Sequence, residues 1–172
     1  MKQLWLLLLV SPMLFATIEL PENFQSDFIQ KITNEKNKVI EYKGKVSFSN
    51  ERLFKWHYTK PTQKEVCTDG SKLVVVDHDL EQVSRYRIAK GIDIAKILHN
   101  ARLYRTDIYV ARYENKKYTI QLYKQKLHSI AYFDNLDNKV QIVFKNIKYG
   151  YGDFSHKRMQ CDAPKAYDVI EG

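Results

Sequence analysis

Catalytic and metal-binding motifs are what this chain of 172 residues lacks. None of its serines sits in a Gly-x-Ser-x-Gly elbow, so no nucleophile turn of the α/β-hydrolase type is encoded. His57, His78, His99, His128 and His156 show no HxxxH-type spacing, which leaves zinc without support. No glycine-rich phosphate loop is present, so the chain has no nucleotide motif of its own. Six glycines and four prolines punctuate the sequence without forming a linker, a low-complexity tract or an internal repeat. Cysteine is scarce as well. Cys67 and Cys161 can pair in an oxidising compartment, or pack as two buried free thiols. The pair is the expectation, and closing so long a loop stabilises by on the order of 4 kcal/mol in the chain-entropy model.

Long apolar runs are also missing, with one exception at the start. After Met1-Lys2-Gln3, residues 4–10 read Leu-Trp-Leu-Leu-Leu-Leu-Val, and Ser11-Pro12 leads to Ala16. A positive start, a short apolar stretch and a small residue at the cut describe a secretory signal peptide over 1–16. The run is shorter than the roughly 20 apolar residues a spanning helix requires. The expectation is therefore export, with residues 17–172 as a single domain. The formal charge of +8 fits a solvated basic surface, or acidic and anionic partners. Export makes nucleic acid the least suitable of these, so Tyr113-Glu-Asn-Lys-Lys-Tyr118 and Tyr123-Lys-Gln-Lys126 read as outward-facing strand residues.

What the chain does have is period-two alternation with turn residues between runs, the signature of consecutive antiparallel strands. Phe24, Ser26, Phe28, Gln30 and Ile32 share one face of an early strand. Ile40, Tyr42, Gly44, Val46 and Phe48 share a face of the next, and Phe54, Trp56 and Tyr58 follow. Lys60-Pro61 ends that strand, because proline cannot continue a ladder inside a sheet. Asp69-Gly70 is a hairpin signal between Lys64–Thr68 and Lys72–Asp77. Further strands are expected at Leu103–Tyr113, Tyr118–Lys124, Leu127–Phe133 and Lys139–Tyr149, with a last extended segment at Arg158–Asp162.

Ile92, Ile94, Ile97 and Leu98, with Ala95 and Ala101, break the pattern with helical spacing, and Asp93 suits the first turn. About ten strands and one amphipathic helix suggest a barrel or half barrel with the helix over its open mouth. The aromatics on the first strands then either fill a core or line a greasy cavity, and both arrangements stay open. Asp77-His78-Asp79 is the only metal-like cluster; neighbours on a strand point to opposite faces, so a turn with acidic caps is the better reading.

Several of these features occur together in order: Phe24-x-x-x-Phe28-x-Gln30, Leu53-Phe54-x-Trp56 followed by Pro61, Asp69-Gly70, and Asp77 to Val83 ending in Leu80-Glu81-Gln82-Val83. In this order and spacing the chain resembles the LolA family of periplasmic outer-membrane lipoprotein carriers. The match is tightest over residues 24–83 and looser over the helix at 92–101 and Pro164. The resemblance implies a mainly β fold, an incomplete antiparallel β-barrel with a helical lid over a hydrophobic cavity for acyl chains. It implies no catalysis and no cofactor, and a monomer that exchanges lipoproteins between an ATP-driven inner-membrane complex and an outer-membrane acceptor.

Under that resemblance Phe54 falls on the cavity aromatic and Ile97 on a lid position. Phe24, Phe28, Trp56, Leu80, Ile94 and Leu98 complete the expected acyl-chain cavity. The family commonly carries an arginine latch at the position of Asn50; here the nearest base is Arg52, which would share that strand face. Only residues 17–23 precede Phe24, so an N-terminal lid helix is shortened or missing. Two other readings accompany this one: an exported carrier of free lipid or glycolipid on the same barrel, and an exported hydrolase built on a small β-barrel.

Overall fold

The computed structural model describes residue 18 and residues 21–49, 53–68, 71–87, 94–152 and 154–172. The expected leader over 1–16, the Asn50 and Arg52 latch, the Asp69-Gly70 turn and residues 91–93 lie outside the described residues. Six strands come first: β1 (Asn23–Thr33), β2 (Val39–Ser49), β3 (Leu53–Lys60), β4 (Lys64–Thr68), β5 (Lys72–Asp77) and β6 (Gln82–Arg87). Helix α1 (Ile94–His99) follows. Then come β7 (Arg102–Arg105), β8 (Ile108–Tyr113), β9 (Lys116–Tyr123), β10 (Lys126–Phe133) and β11 (Lys139–Tyr149). The C-terminal segment holds α2 (His156–Met159) and β12 (Asp168–Glu171).

All the strands belong to one sheet of order β12-β6-β5-β4-β3-β2-β1-β11-β10-β9-β8-β7, so β12 and β7 are its two edges and it does not close. Every pairing is antiparallel except β12 on β6. The meander is built by local chemistry. Asn34 Oδ1 accepts hydrogen bonds from the backbone N–H groups of Lys36 at 3.0 Å and Lys38 at 2.9 Å, closing the β1–β2 turn. Asp134 repeats the device between β10 and β11, accepting from Leu136 at 2.8 Å and Asn138 at 3.0 Å. Tighter turns use left-handed pairs at Glu114-Asn115 and Lys124-Gln125.

Register then fixes which side chains meet. Phe28 stands opposite Gly44 on β2 and Phe144 on β11, while Val46 faces Trp56 and Phe48 faces Phe54. These residues share the inner face, and α1 packs against the same side through Ile94, Ile97 and Leu98, all buried. Ile18 joins this core ahead of β1.

Three expectations are corrected. Leu103–Tyr113 is two strands, because Asp107 takes a positive φ of 59° and turns the chain back between β7 and β8. Arg158–Asp162 is not extended throughout: Arg158 and Met159 belong to α2, whose Met159 is buried. Two strands, β6 and β12, lie beyond the expected set, and they pair with each other in parallel at one end of the sheet.

Candidate functional site

The inner face is a continuous run of aromatic rings. Phe24 and Phe48 lie 5.2 Å apart between ring centroids, and Phe48 lies 4.7 Å from Phe54. Phe28 meets Trp56 edge-on at 4.8 Å and Tyr58 at 5.1 Å. Tilted and edge-on contacts at these separations are the favoured geometries of aromatic pairs. The rings come from neighbouring strands, so their mutual positions are set by the ladder and not by any loop.

Beyond the rings the packing stops short. A cavity of about 230 Å³ opens between the sheet and α1, lined chiefly by Phe54, Trp56, Ile94, Ile97, Ile130 and Ile142. Its polar margin includes Gln30, Tyr58, Thr68, Tyr118 and Tyr132. The phenol of Tyr58 donates to Gln30 Oε1 at 3.0 Å, so that edge is internally satisfied. Burial pushes the Tyr58 hydroxyl well above the ordinary phenol range, with Tyr132 and Tyr42 adding to the effect. Burial likewise raises Tyr132, to about 12, helped by Tyr118 and Asp134. Among the described residues, neutral phenols, a hydroxyl and an amide make up the polar margin, with no formal charge.

The residues expected at the cavity divide into three groups. Phe54, Trp56, Ile94 and Ile97 line it. Phe24, Phe28 and Leu98 are almost fully buried in the core that supports it. Leu80 is the correction: it is 69% exposed on the turn after β5. Asp77 Oδ1 accepts a hydrogen bond from the Leu80 backbone N–H at 3.2 Å, which fixes a turn there and ends the strand alternation that would have carried its side chain inward. Sequence reasoning missed the far wall formed by Tyr118, Ile130, Tyr132 and Ile142. Period-two alternation along β9, β10 and β11 carried that signal.

On the outer face a second arrangement fastens the C-terminal segment. Cys67 and Cys161 form a disulfide, with Cα atoms 5.6 Å apart. Beside it Glu65, only 6% exposed, accepts from the Asp162 backbone N–H at 2.7 Å and pairs with Lys55 at 3.3 Å. Lys55 Nζ in turn donates to the Gln160 carbonyl at 2.7 Å. Glu65, Cys67 and Cys161 lie within 4.8 Å of one another, but the disulfide occupies both sulfurs and leaves no thiolate for a metal. The Asp77-His78-Asp79 turn does not converge either. Asp77 pairs with Lys64 at 3.0 Å, His78 Nδ1 lies 3.2 Å from the Tyr167 hydroxyl, and Asp79 accepts from the Gln63 N–H at 3.0 Å.

An unclosed antiparallel sheet with one helix over an apolar cavity defines a half-barrel binding protein. The chain belongs to the LolA family: the family model described as outer membrane lipoprotein carrier protein LolA matches residues 21–127. It is similar to the outer-membrane lipoprotein carrier protein of Campylobacter jejuni subsp. jejuni, at 32% identity over 151 residues, 86% of this chain and 85% of that one. The protein of the same name from Wolinella succinogenes is 33% identical over 132 residues, 76% of this chain and 77% of that one. Among solved structures, an uncharacterized conserved protein from Thermus thermophilus shares the fold with a TM-score of 0.56 at 11% identity, covering 89% of this chain and 92% of that one.

Proposed function

We propose that the protein is a periplasmic carrier that holds the acyl chains of lipoproteins from the inner membrane and delivers them to the outer membrane. The observation that carries the reading is the apolar cavity under α1, together with family membership. Removal of the leader after Ala16 would place the domain in the periplasm.

The mechanism is binding without catalysis. Each buried methylene of an acyl chain stabilises the complex by about 0.8 kcal/mol, so a modest length of chain is enough to hold a lipid anchor out of water. The cavity of about 230 Å³ falls just under the range of about 300–1,000 Å³ usual for small-molecule sites. Cargo therefore has to displace α1 or spread the sheet edges. The buried contacts of Ile94, Ile97 and Leu98 are then broken on loading, and this cost weakens the complex enough for release. In the empty state the same contacts keep the apolar face from water and from other molecules. Loading by an ATP-driven inner-membrane complex and transfer to an outer-membrane acceptor complete the cycle, with the carrier acting as a monomer.

The test is Phe54→Glu. A carboxylate in the cavity wall should abolish co-purification of acylated lipoprotein from the periplasm while leaving far-UV circular dichroism nearly unchanged. Normal cargo recovery with that variant would remove Phe54 from the site. Mass spectrometry of lipid extracted from the purified protein separates lipoprotein cargo from free lipid or glycolipid.

A further inference from the structure

The two ends of the half barrel differ in charge. At one end lie the turns after β1, β5, β8 and β10, with Glu35, Glu114, Asp134, Asp137 and the Asp79–Glu81 corner. Lys36, Lys38, Lys60, Lys116 and Lys139 offset these acids, so that end is close to balance. At the other end, on the β7–β11 side, bases prevail. Arg102 and Arg105 lie on β7, Lys124 and Lys126 flank the β9–β10 turn, and Lys148 sits near the end of β11. At this end Asp107 is the one acid in the described turns between β7 and β10, while Glu22 is exposed beside the end of β11 and Asp27 lies close to Lys148, so the excess of bases rests on Arg102, Arg105, Lys124 and Lys126.

The same end exposes aromatic and apolar surface. All four residues of β7 are exposed, with Leu103 at 49% and Tyr104 at 73%. Tyr123 is 62% exposed at the β9–β10 turn, and Tyr151 is 73% exposed just after β11. These segments form one contiguous surface. The Leu122 N–H donates to the Asp107 carbonyl at 2.8 Å, tying the end of β9 to the β7–β8 turn. The Leu127 N–H donates to the Tyr149 hydroxyl at 2.8 Å, and Lys126 Nζ lies 5.6 Å over the Tyr149 ring. β7 is moreover a sheet edge, uncovered by any described strand.

We propose that this basic, tyrosine-bearing end is a docking surface for an anionic phospholipid bilayer. Charge complementarity selects the occupant: lysine and arginine near an anionic leaflet each add to affinity, and tyrosine favours the headgroup region, with its ring in apolar surroundings and its hydroxyl in water. The surface is made of turn tips and one edge strand that present exposed bases and tyrosines together, the combination a plane of anionic headgroups takes. The balanced end opposite gains nothing from the same plane, so the field orients the molecule as well as attracting it. None of the residues that line the cavity belongs to this surface.

The experiment is vesicle co-sedimentation of the protein purified from the periplasmic fraction. One set of vesicles is phosphatidylcholine alone, and the other an equal mixture with phosphatidylglycerol. The expected result is binding to the mixed vesicles only, weakening as salt shortens the Debye length. The triple variant Arg105→Glu/Lys124→Glu/Lys126→Glu should bind on the order of a hundredfold more weakly. Lys36→Glu/Lys38→Glu at the other end should bind like the wild type. Tyr104→Ser/Tyr123→Ser, which keeps the charge, should lose roughly tenfold. Apolar-dye binding in the cavity should be unchanged in the triple variant, which shows both that it is folded and that the cavity reading is untouched. No binding to mixed vesicles, or equal binding by the triple variant, overturns the proposal and leaves the patch to an acidic protein partner.

Discussion

Phe28 occupies the space above Gly44 that a side chain on β2 would need. A Cβ built at Gly44 would lie 2.9 Å from Phe28 Cε1 and nearer still to the His57 backbone carbonyl. The glycine is thus where the β3 backbone approaches β2 most closely, at a register irregularity between the two strands, with the Phe28 ring beside it. Gly44→Ala should drive its Cβ into the His57 carbonyl and force β2 and β3 apart there, displacing the Phe28 ring as well. The expected cost in urea denaturation is above about 3 kcal/mol, because the backbone of a paired strand has to move as well as a core ring. A variant as stable as the wild type would mean that the sheet yields easily at this point.

The cavity phenols make stability fall on the alkaline side. Burial raises both Tyr58 and Tyr132 above the ordinary value, Tyr132 to about 12. Below about pH 10 both the folded and unfolded states keep these protons, and the contribution is fully present. As the pH rises past 10 the unfolded chain ionises first, so stability drops until the folded phenols ionise in turn. The Tyr132 share is up to about 2 kcal/mol. Denaturant midpoints measured from pH 9 to pH 11 should fall, and Tyr132→Phe should flatten part of that slope. A midpoint constant over this range would refute the burial of these hydroxyls.

The outer strap ties stability to redox state. Cys67 and Cys161 are 94 positions apart, and linking them restricts the unfolded chain by about 4–5 kcal/mol in the loop-entropy model. Cys67→Ser/Cys161→Ser, or reduction, should lower the unfolding free energy by several kcal/mol. Glu65→Ala removes the acceptor for the Asp162 N–H and the carboxylate partner of Lys55, which keeps the Gln160 carbonyl, so the cost should be about 1–3 kcal/mol. Both changes release the same segment. Their effects in one molecule should therefore sum to less than the two separately, as measured by a double-mutant cycle. Strict additivity would show that the disulfide and the carboxylate act on independent parts.

How much of this was legible in the sequence depended on the distance over which each signal acts. Alternation placed Phe24, Phe28, Phe54 and Trp56 on one face, since a strand has only two faces and the residue types choose between them. Helical spacing found Ile94, Ile97 and Leu98 for the same reason. The β7–β8 turn was invisible because Asp107 takes a left-handed conformation without a glycine or proline to mark it. Leu80 was misplaced because its turn depends on the Asp77 side chain, a hydrogen bond that alternation does not record. β12 was beyond reach, as its partner β6 is half the chain away in sequence. Whether the aromatic face closed on itself or left a void is a matter of summed volumes across the sheet, which no local pattern contains.

That void gives the clearest separation between stability and binding. Ile130 projects into the cavity from the wall opposite Trp56 and Phe54, while Ile97 closes it from α1. Ile130→Trp should fill empty space, so the folded state loses little or gains, because an unfilled volume forfeits contacts on one side. Ile97→Ala should enlarge the void and cost about 2–5 kcal/mol, the usual penalty for truncating a buried aliphatic chain. If the cavity is only a packing defect, apolar-dye affinity should follow stability in both variants. For an acyl-chain site the two quantities part: the tryptophan variant is stable but takes up no dye or cargo, and the alanine variant is weak but still binds. Thermal unfolding and dye titration on the same samples decide between them, and retained uptake by Ile130→Trp would place the acyl chain somewhere else.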